Sequence, residues 1–199
     1  MAALPLRERG FDSVVEGPRL LERVEIATAA PGTVVTIGPF ALAVRPWRLG
    51  PVSALLLSVL DSDVTVRVLG PGAETVAEYL RFNSGARSAP LEEADFVLVT
   101  GSTSGGQVSR ARRATSVRPS VVVAYAPDLL AAAGHSAPVT LVVDVPNAAP
   151  RRLGVAGLAA EEFDDVLNGT EPGAIGVWLA AGDGTLAVLP ASARWRRED

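Results

Sequence analysis

DVTVRVLGPGAETVAEYLRFNSGA, residues 63–86, changes its hydrophobic period midway. Val64 to Leu69 alternates apolar and polar side chains, the period of a strand. Gly70-Pro71-Gly72 turns the chain. From Ala73 to Phe82, Val76, Ala77, Tyr79 and Leu80 share one helical face, and Asn83-Ser84-Gly85 breaks the helix. A strand feeding a helix points to the α/β class. The helix end carries more than a stop signal needs. Tyr79 and Phe82 flank Arg81, and a second arginine, Arg87, follows in the polar loop.

The same punctuation organises the flanks. Leu20 to Ala30 predicts a helix ended by Pro31-Gly32, and Pro51 opens another through Leu60. Thr33–Ile37 and Ala41–Val44, either side of Gly38-Pro39, predict a hairpin. Downstream, strands are predicted at Phe96–Thr100, Val121–Tyr125, Val139–Val145 and Arg152–Val155, the third of these central because it is apolar nearly throughout. A helix runs from Gly157 through Leu167, and Ile175–Ala180 and Leu186–Leu189 close a hairpin over Gly182-Asp183-Gly184. The expectation is an α/β fold: a single layered domain over residues 1–199 with a central mixed sheet. Residues 1–18 and 192–199 are expected to be flexible, with the tail from Arg194 frayed.

Composition removes much of the usual chemistry. The 199 residues include no cysteine, which excludes disulfides, thiolate metal sites and a cysteine nucleophile. Histidine occurs once, at His135. Every one of the 18 basic residues is arginine, so there is no lysine for a Schiff base or a Walker-type loop. No bound cofactor and no metal are therefore expected. A net charge of −4 gives no reason to expect nucleic acid. The longest apolar run, Val52–Leu60, is too short to cross a bilayer, and the N-terminus shows no export signal, so a cytoplasmic protein is expected.

Five places could carry chemistry. Gly101-Ser102-Thr103-Ser104-Gly105-Gly106 has the glycine spacing of a phosphate loop, with Arg110, Arg112 and Arg113 nearby, but Gln107 stands where the lysine belongs. A plain glycine–serine loop is the simpler reading. His135 has no carboxylate near it in sequence and no Gly-x-Ser-x-Gly elbow to serve. Asp61/Asp63 and Glu161/Glu162/Asp164/Asp165 could bind magnesium, though a turn and a helix start account for them. The strongest candidate is Arg81 with Asn83, Ser84 and Arg87: arginine forks match phosphate and carboxylate, and aromatic flanks lower local polarity. The alternative is an amphipathic helix whose rings pack while Arg81 reaches out. No catalytic residue can be assigned.

The block LLSVLDSDVTVRVLGP followed by Tyr-Leu-Arg-Phe-Asn-Ser-Gly-Ala resembles the H subunit of the bacterial carbon–phosphorus lyase system, the PhnH family, which has "SLRFHTNA" or "YLRFHTGA" after the same helix and strand. Pro31-Gly32-Thr33-Val34, Leu91–Thr100, Thr140–Leu158, and Gly176-Val177 with Leu186–Pro190 resemble further family segments in order. Departures are Leu21-Glu22 for Phe-Arg, Trp178 for the late aspartate, and Pro190-Ala191-Ser192 for Pro-Arg-Thr; residues 101–133 have no clear counterpart. The resemblance implies a fold similar to pyridoxal-phosphate transferases without the cofactor. It implies a homodimer that also joins the G, I and J subunits, the assembly handling a phosphonate and a nucleotide. There, with an ATP-binding partner, phosphonate replaces adenine on ATP to give ribose 1-phosphonate 5-triphosphate. On this reading the chain is a transferase subunit inactive alone, and Arg81 with the 83–87 loop faces an anion or a subunit. A non-catalytic scaffold or partner-binding homodimer of the same fold is the alternative, and a stand-alone small-molecule enzyme a third.

Overall fold

In the computed structural model, residues 11–40, 42, 44–101, 108, 121–132, 137–145, 149–168 and 175–198 are described, with backbone only for 165–168. Seven strands form one mixed sheet: β1 (Val35–Thr36), β2 (Thr65–Leu69), β3 (Arg87–Ser88), β4 (Phe96–Val99), β5 (Val121–Tyr125), β9 (Ile175–Ala180) and β10 (Thr185–Leu189), in the order β1-β10-β9-β5-β4-β2-β3. From β9 through β3 the pairing is parallel; β10 and β1 are antiparallel to their neighbours. Four more strands form an antiparallel sheet, β11-β7-β8-β6: β6 (Leu129–Ala132), β7 (Val139–Val143), β8 (Arg151–Ala156) and β11 (Trp195–Glu198). The helices are α1 (Gly17–Ala29), α2 (Gly50–Leu57), α3 (Ala73–Ser84) and α4 (Ala160–Asn168).

Side-chain alternation along the mixed sheet sorts the core into two clusters. Val66, Val68, Leu98, Ala124, Trp178, Ala180, Leu186 and Val188 face α1, α2 and α3. Leu69, Val97, Val99, Val123, Tyr125, Val177, Leu179, Ala187 and Leu189 face the other way, onto Leu130, Leu141, Val143, Leu153 and Val155 of the antiparallel sheet. The mixed sheet is thus buried on both faces, as parallel strands require. Phe163 of α4 stands between Tyr125 and Trp195, with ring centroids 6.1 and 6.3 Å away. α2 is buried at all eight positions, including Ser53, whose hydroxyl has no hydrogen-bond partner among the described residues. Gly50 opens it because a Cβ there would stand 2.1 Å from the Phe40 carbonyl oxygen. Among the described residues no helix is long and apolar enough to cross a membrane.

Two sequence expectations need correction. The hairpin around Gly38-Pro39 does not form: β1 pairs with β10, and the N–H groups of Ile37 and Gly38 both donate to the Gly184 carbonyl. Of its other arm, Leu42 and Val44 are described, buried and not in a strand, while Ala41 and Ala43 lie outside the described residues. β7 is an inner strand of the antiparallel sheet, not of the main one. It reads apolar on both faces because Val142, on the outer face, is covered by Arg152 and Arg196, its register partners on either side. The stretch up to residue 18 is bonded from Asp12 onward, where Asp12 Oδ1 accepts from Val14 N at 2.9 Å and Glu16 Oε2 accepts from Asp12 N at 2.9 Å. The tail forms β11, and Arg152 clamps it by donating to both carboxylate oxygens of Glu198.

Replacing Ser53 by Ala removes an unsatisfied buried hydroxyl and is expected to leave stability unchanged or raise it by about 1 kcal/mol, whereas Leu56→Ala costs about 2–5 kcal/mol; urea unfolding midpoints check both. The hydrogen bonds from Arg152 hold the Glu198 carboxyl below its ordinary range. The contribution of that pair is therefore complete above the unfolded carboxylate value and fades as pH falls through the lower folded value. Glu198→Gln should flatten the melting temperature's acid-side slope there, and an unchanged slope would exclude the pair as its source.

Candidate functional site

The helix end singled out by its sequence is built from its own polar groups. Gly72 enters α3 in the left-handed region and Gly85 leaves it there, at φ 78°, its N–H donating to the Arg81 carbonyl at 2.8 Å. Asn83 Nδ2 donates to the Tyr79 carbonyl at 2.8 Å. Ser84 Oγ donates to the Leu80 carbonyl at 2.7 Å and accepts from Ala86 N at 3.1 Å. The Arg87 guanidinium donates to the Asp63 carbonyl at 3.1 Å, tying β3 to the start of β2. Asn83, Ser84 and Arg87 thus shape the helix end, and Arg81 alone of the four lines open space.

That space is a cleft of about 870 Å³ along the sheet edge. Its walls are α3 (Ala73, Glu74, Ala77, Glu78, Arg81, Phe82), β2 (Val66, Arg67, Val68) and Ser88. Val76 and Leu80 pin the opposite side of α3 to the core. Arg67, Glu74, Glu78 and Arg81 are exposed, and their side chains make no hydrogen bond or ion pair with other described residues. Phe82 is 53% exposed. β3 pairs with β2 only at Thr65 and Val66, so beyond Val66 this edge of β2 has no strand beside it among the described residues. Two carboxylates, Glu74 and Glu78, face the same cleft as Arg67 and Arg81, so its lining carries both signs of charge.

The other candidates separate. Asp61 Oδ1 accepts from Asp63 N at 2.8 Å, an Asx-type turn. Asp164 pairs with Arg197 at 3.5 Å, and Glu162 is buried; Asp165 has no described side chain. Among the described residues no group of three or more His, Cys, Asp or Glu could hold a metal. His135, residues 102–107 of the glycine–serine loop, and Arg110, Arg112 and Arg113 lie outside the described residues.

One arginine escaped the sequence reading. Arg48 lies at the carboxyl ends of the parallel strands, where open α/β sheets bind ligands. Its guanidinium donates to Asp128 Oδ1 and to the Thr100 carbonyl, both at 3.1 Å. The Thr100 hydroxyl lies 3.0 Å from the Leu69 carbonyl oxygen and 2.7 Å from that of Pro71, joining the ends of β4 and β2. Next to Arg48, Trp47 is 70% exposed and rests over Gly182, where a Cβ would come within 3.0 Å of the indole. The one available signal was Trp47-Arg48 itself, an aromatic–arginine pair before a buried helix. Arg48→Ala should cost about 1–2 kcal/mol, mostly for the Thr100 carbonyl left unsatisfied. Asp128→Asn, at an exposed carboxylate, should cost under about 1 kcal/mol. Equal losses in denaturant melts would contradict this division.

A family model described as bacterial phosphonate metabolism protein (PhnH) matches residues 12–125. The match runs from the turn before α1 through β5, taking in α2, the α3 cleft and Arg48, and it includes 101–125, where the segment-by-segment resemblance finds no counterpart. The later segments, Thr140–Leu158 and the closing strands, lie beyond it. No curated protein matches the chain. Since the match covers more than half of the 199 residues, the chain belongs to the bacterial phosphonate metabolism protein (PhnH) family.

Proposed function

We propose that this chain is the H subunit of a cytoplasmic carbon–phosphorus lyase assembly. In this role it joins the G, I and J subunits and is needed where phosphonate replaces adenine on ATP, giving ribose 1-phosphonate 5-triphosphate. The observation that carries the proposal is the family match over residues 12–125, which contains the cleft residues and Arg48. Similarity of its fold to pyridoxal-phosphate transferases is part of the same reading, and no step runs through that cofactor, since a chain without lysine cannot form its internal Schiff base. Within this role we read Arg81 as a protein-contact residue, supported by Glu74 and Glu78 in the same cleft. We assign the phosphonate or nucleotide anion to Arg48, supported by its place at the carboxyl ends of the strands and by the exposed Trp47 beside it.

Co-expression of the tagged chain with G, I and J subunits of one genome should give a stable complex in native mass measurements, and the chain should restore growth on a phosphonate to a bacterium lacking its own H subunit. A chain that ignores all three partners and restores nothing would overturn the proposal. Arg48→Lys keeps the charge and loses the fork. It should preserve the complex and the fold while lowering phosphonate-dependent growth or turnover at least ~10-fold. Full growth with Arg48→Lys would move the anion elsewhere.

A further inference from the structure

We propose that a cavity at the carbonyl end of α1 binds a small, mostly apolar organic acid carrying one negative charge. The cavity, of about 560 Å³, lies beyond the end of β10, where the helical layer meets the antiparallel sheet. None of its lining residues belongs to the α3 cleft or to the surroundings of Arg48. One wall is the end of α1; the others are the residues that follow β7 and those that lead from β10 into β11. These walls are tied in place. The Gly32 N–H donates to the Val188 carbonyl at 3.4 Å, and the Asp144 N–H to the Arg194 carbonyl at 2.8 Å. The Ala193 N–H closes a turn onto the Pro190 carbonyl at 2.8 Å, and the Arg151 guanidinium donates to the Pro31 carbonyl at 3.2 Å. The cavity is therefore built before any ligand arrives, at a size usual for small-molecule sites.

Its lining selects the ligand. Ala29, Pro31, Val145, Pro190 and Ala193 offer an apolar wall, and Ile26, one turn before Ala29 on α1, is 42% exposed. Thr28 and Ser192 set hydroxyls among them. Charge is confined to Asp144 and Arg194. Asp144 is answered by Arg196 at 3.4 Å, whereas the Arg194 guanidinium makes no hydrogen bond or ion pair with other described residues. An unpaired arginine fork beside an apolar wall fits a carboxylate on a hydrocarbon body. Two further features hold the ligand's charge at one and require that body. A dianion would exceed the single free guanidinium and meet the Asp144 carboxylate. A bare anion would face the carbonyl end of α1, whose last turn holds no basic residue, and would gain nothing from the apolar wall.

Calorimetric titration of the purified full-length chain with cinnamate, a planar apolar carboxylate, should give one site per chain with a dissociation constant below ~1 mM. Cinnamamide keeps the body and loses the charge; acetate keeps the charge and loses the body. Each should bind at least ~10-fold more weakly. Arg194→Gln removes the fork and Ala29→Leu fills the cavity, both at exposed positions. Each should weaken cinnamate at least ~10-fold while the unliganded chain melts as before. Arg48→Lys should leave cinnamate binding unchanged, which separates this cavity from the anion seat assigned to Arg48. If a variant fails to fold, isotope-labelled alanine methyl groups of the wild type decide: those of Ala29 and Ala193 should shift as cinnamate is added. No saturable binding up to ~10 mM cinnamate, tighter binding of phenylphosphonate than of cinnamate, indifference to both substitutions, unmoved Ala29 and Ala193 methyls, or loss with Arg48→Lys would overturn the proposal.

Discussion

The double burial of the mixed sheet governs the rest of this molecule. Parallel strands β2, β4, β5 and β9 need crossover connections, and the segments that cross leave both faces to be covered. Here one face takes α1, α2 and α3 and the other takes a complete antiparallel sheet. Along the inner strands β4, β5 and β9, side chains are therefore committed to one of two cores according to their parity. Trp178 packs toward the helices and Val177 toward the second sheet. A one-residue slip anywhere along β9 would exchange the two sets.

That commitment decides where open space can exist. The faces are filled, so open space lies at strand ends and sheet edges, among them the carboxyl ends of the parallel strands and the β2–β3 edge. Arg48 occupies the first, held by a carboxylate and a carbonyl from two different connections. The α3 cleft occupies the second. The two differ in kind: Arg48 is fixed and partly enclosed beside an exposed indole, whereas Arg81 is exposed among carboxylates.

The residues that looked most like a ligand loop are hydrogen-bonded to the backbone around the helix end. Asn83 and Ser84 spend their side chains on carbonyls one turn back, and Arg87 on the Asp63 carbonyl. Polar groups at a helix end compete for the last carbonyls before they are available to anything else. Arg81, four residues before the cap glycine, escapes that competition because it projects from the outer side of the helix.

What the sequence by itself determined is local and periodic. The strand–turn–helix of residues 63–86, the buried α2, the β9–β10 hairpin and the absence of lysine and cysteine chemistry were all legible, because each follows from neighbouring residues or from composition. Only the tertiary structure decided the rest. It sent β1 to β10 instead of into a hairpin, because the Gly184 carbonyl takes the N–H groups of Ile37 and Gly38. It put β7 in a second sheet, where arginine stems cover Val142, and drew the arginine-rich tail into β11 through a clamp from Arg152. It brought Arg48 to Thr100 and Asp128, partners 52 and 80 residues away. Such pairings depend on which surfaces remain uncovered once the first elements have packed, and no window of sequence contains that information.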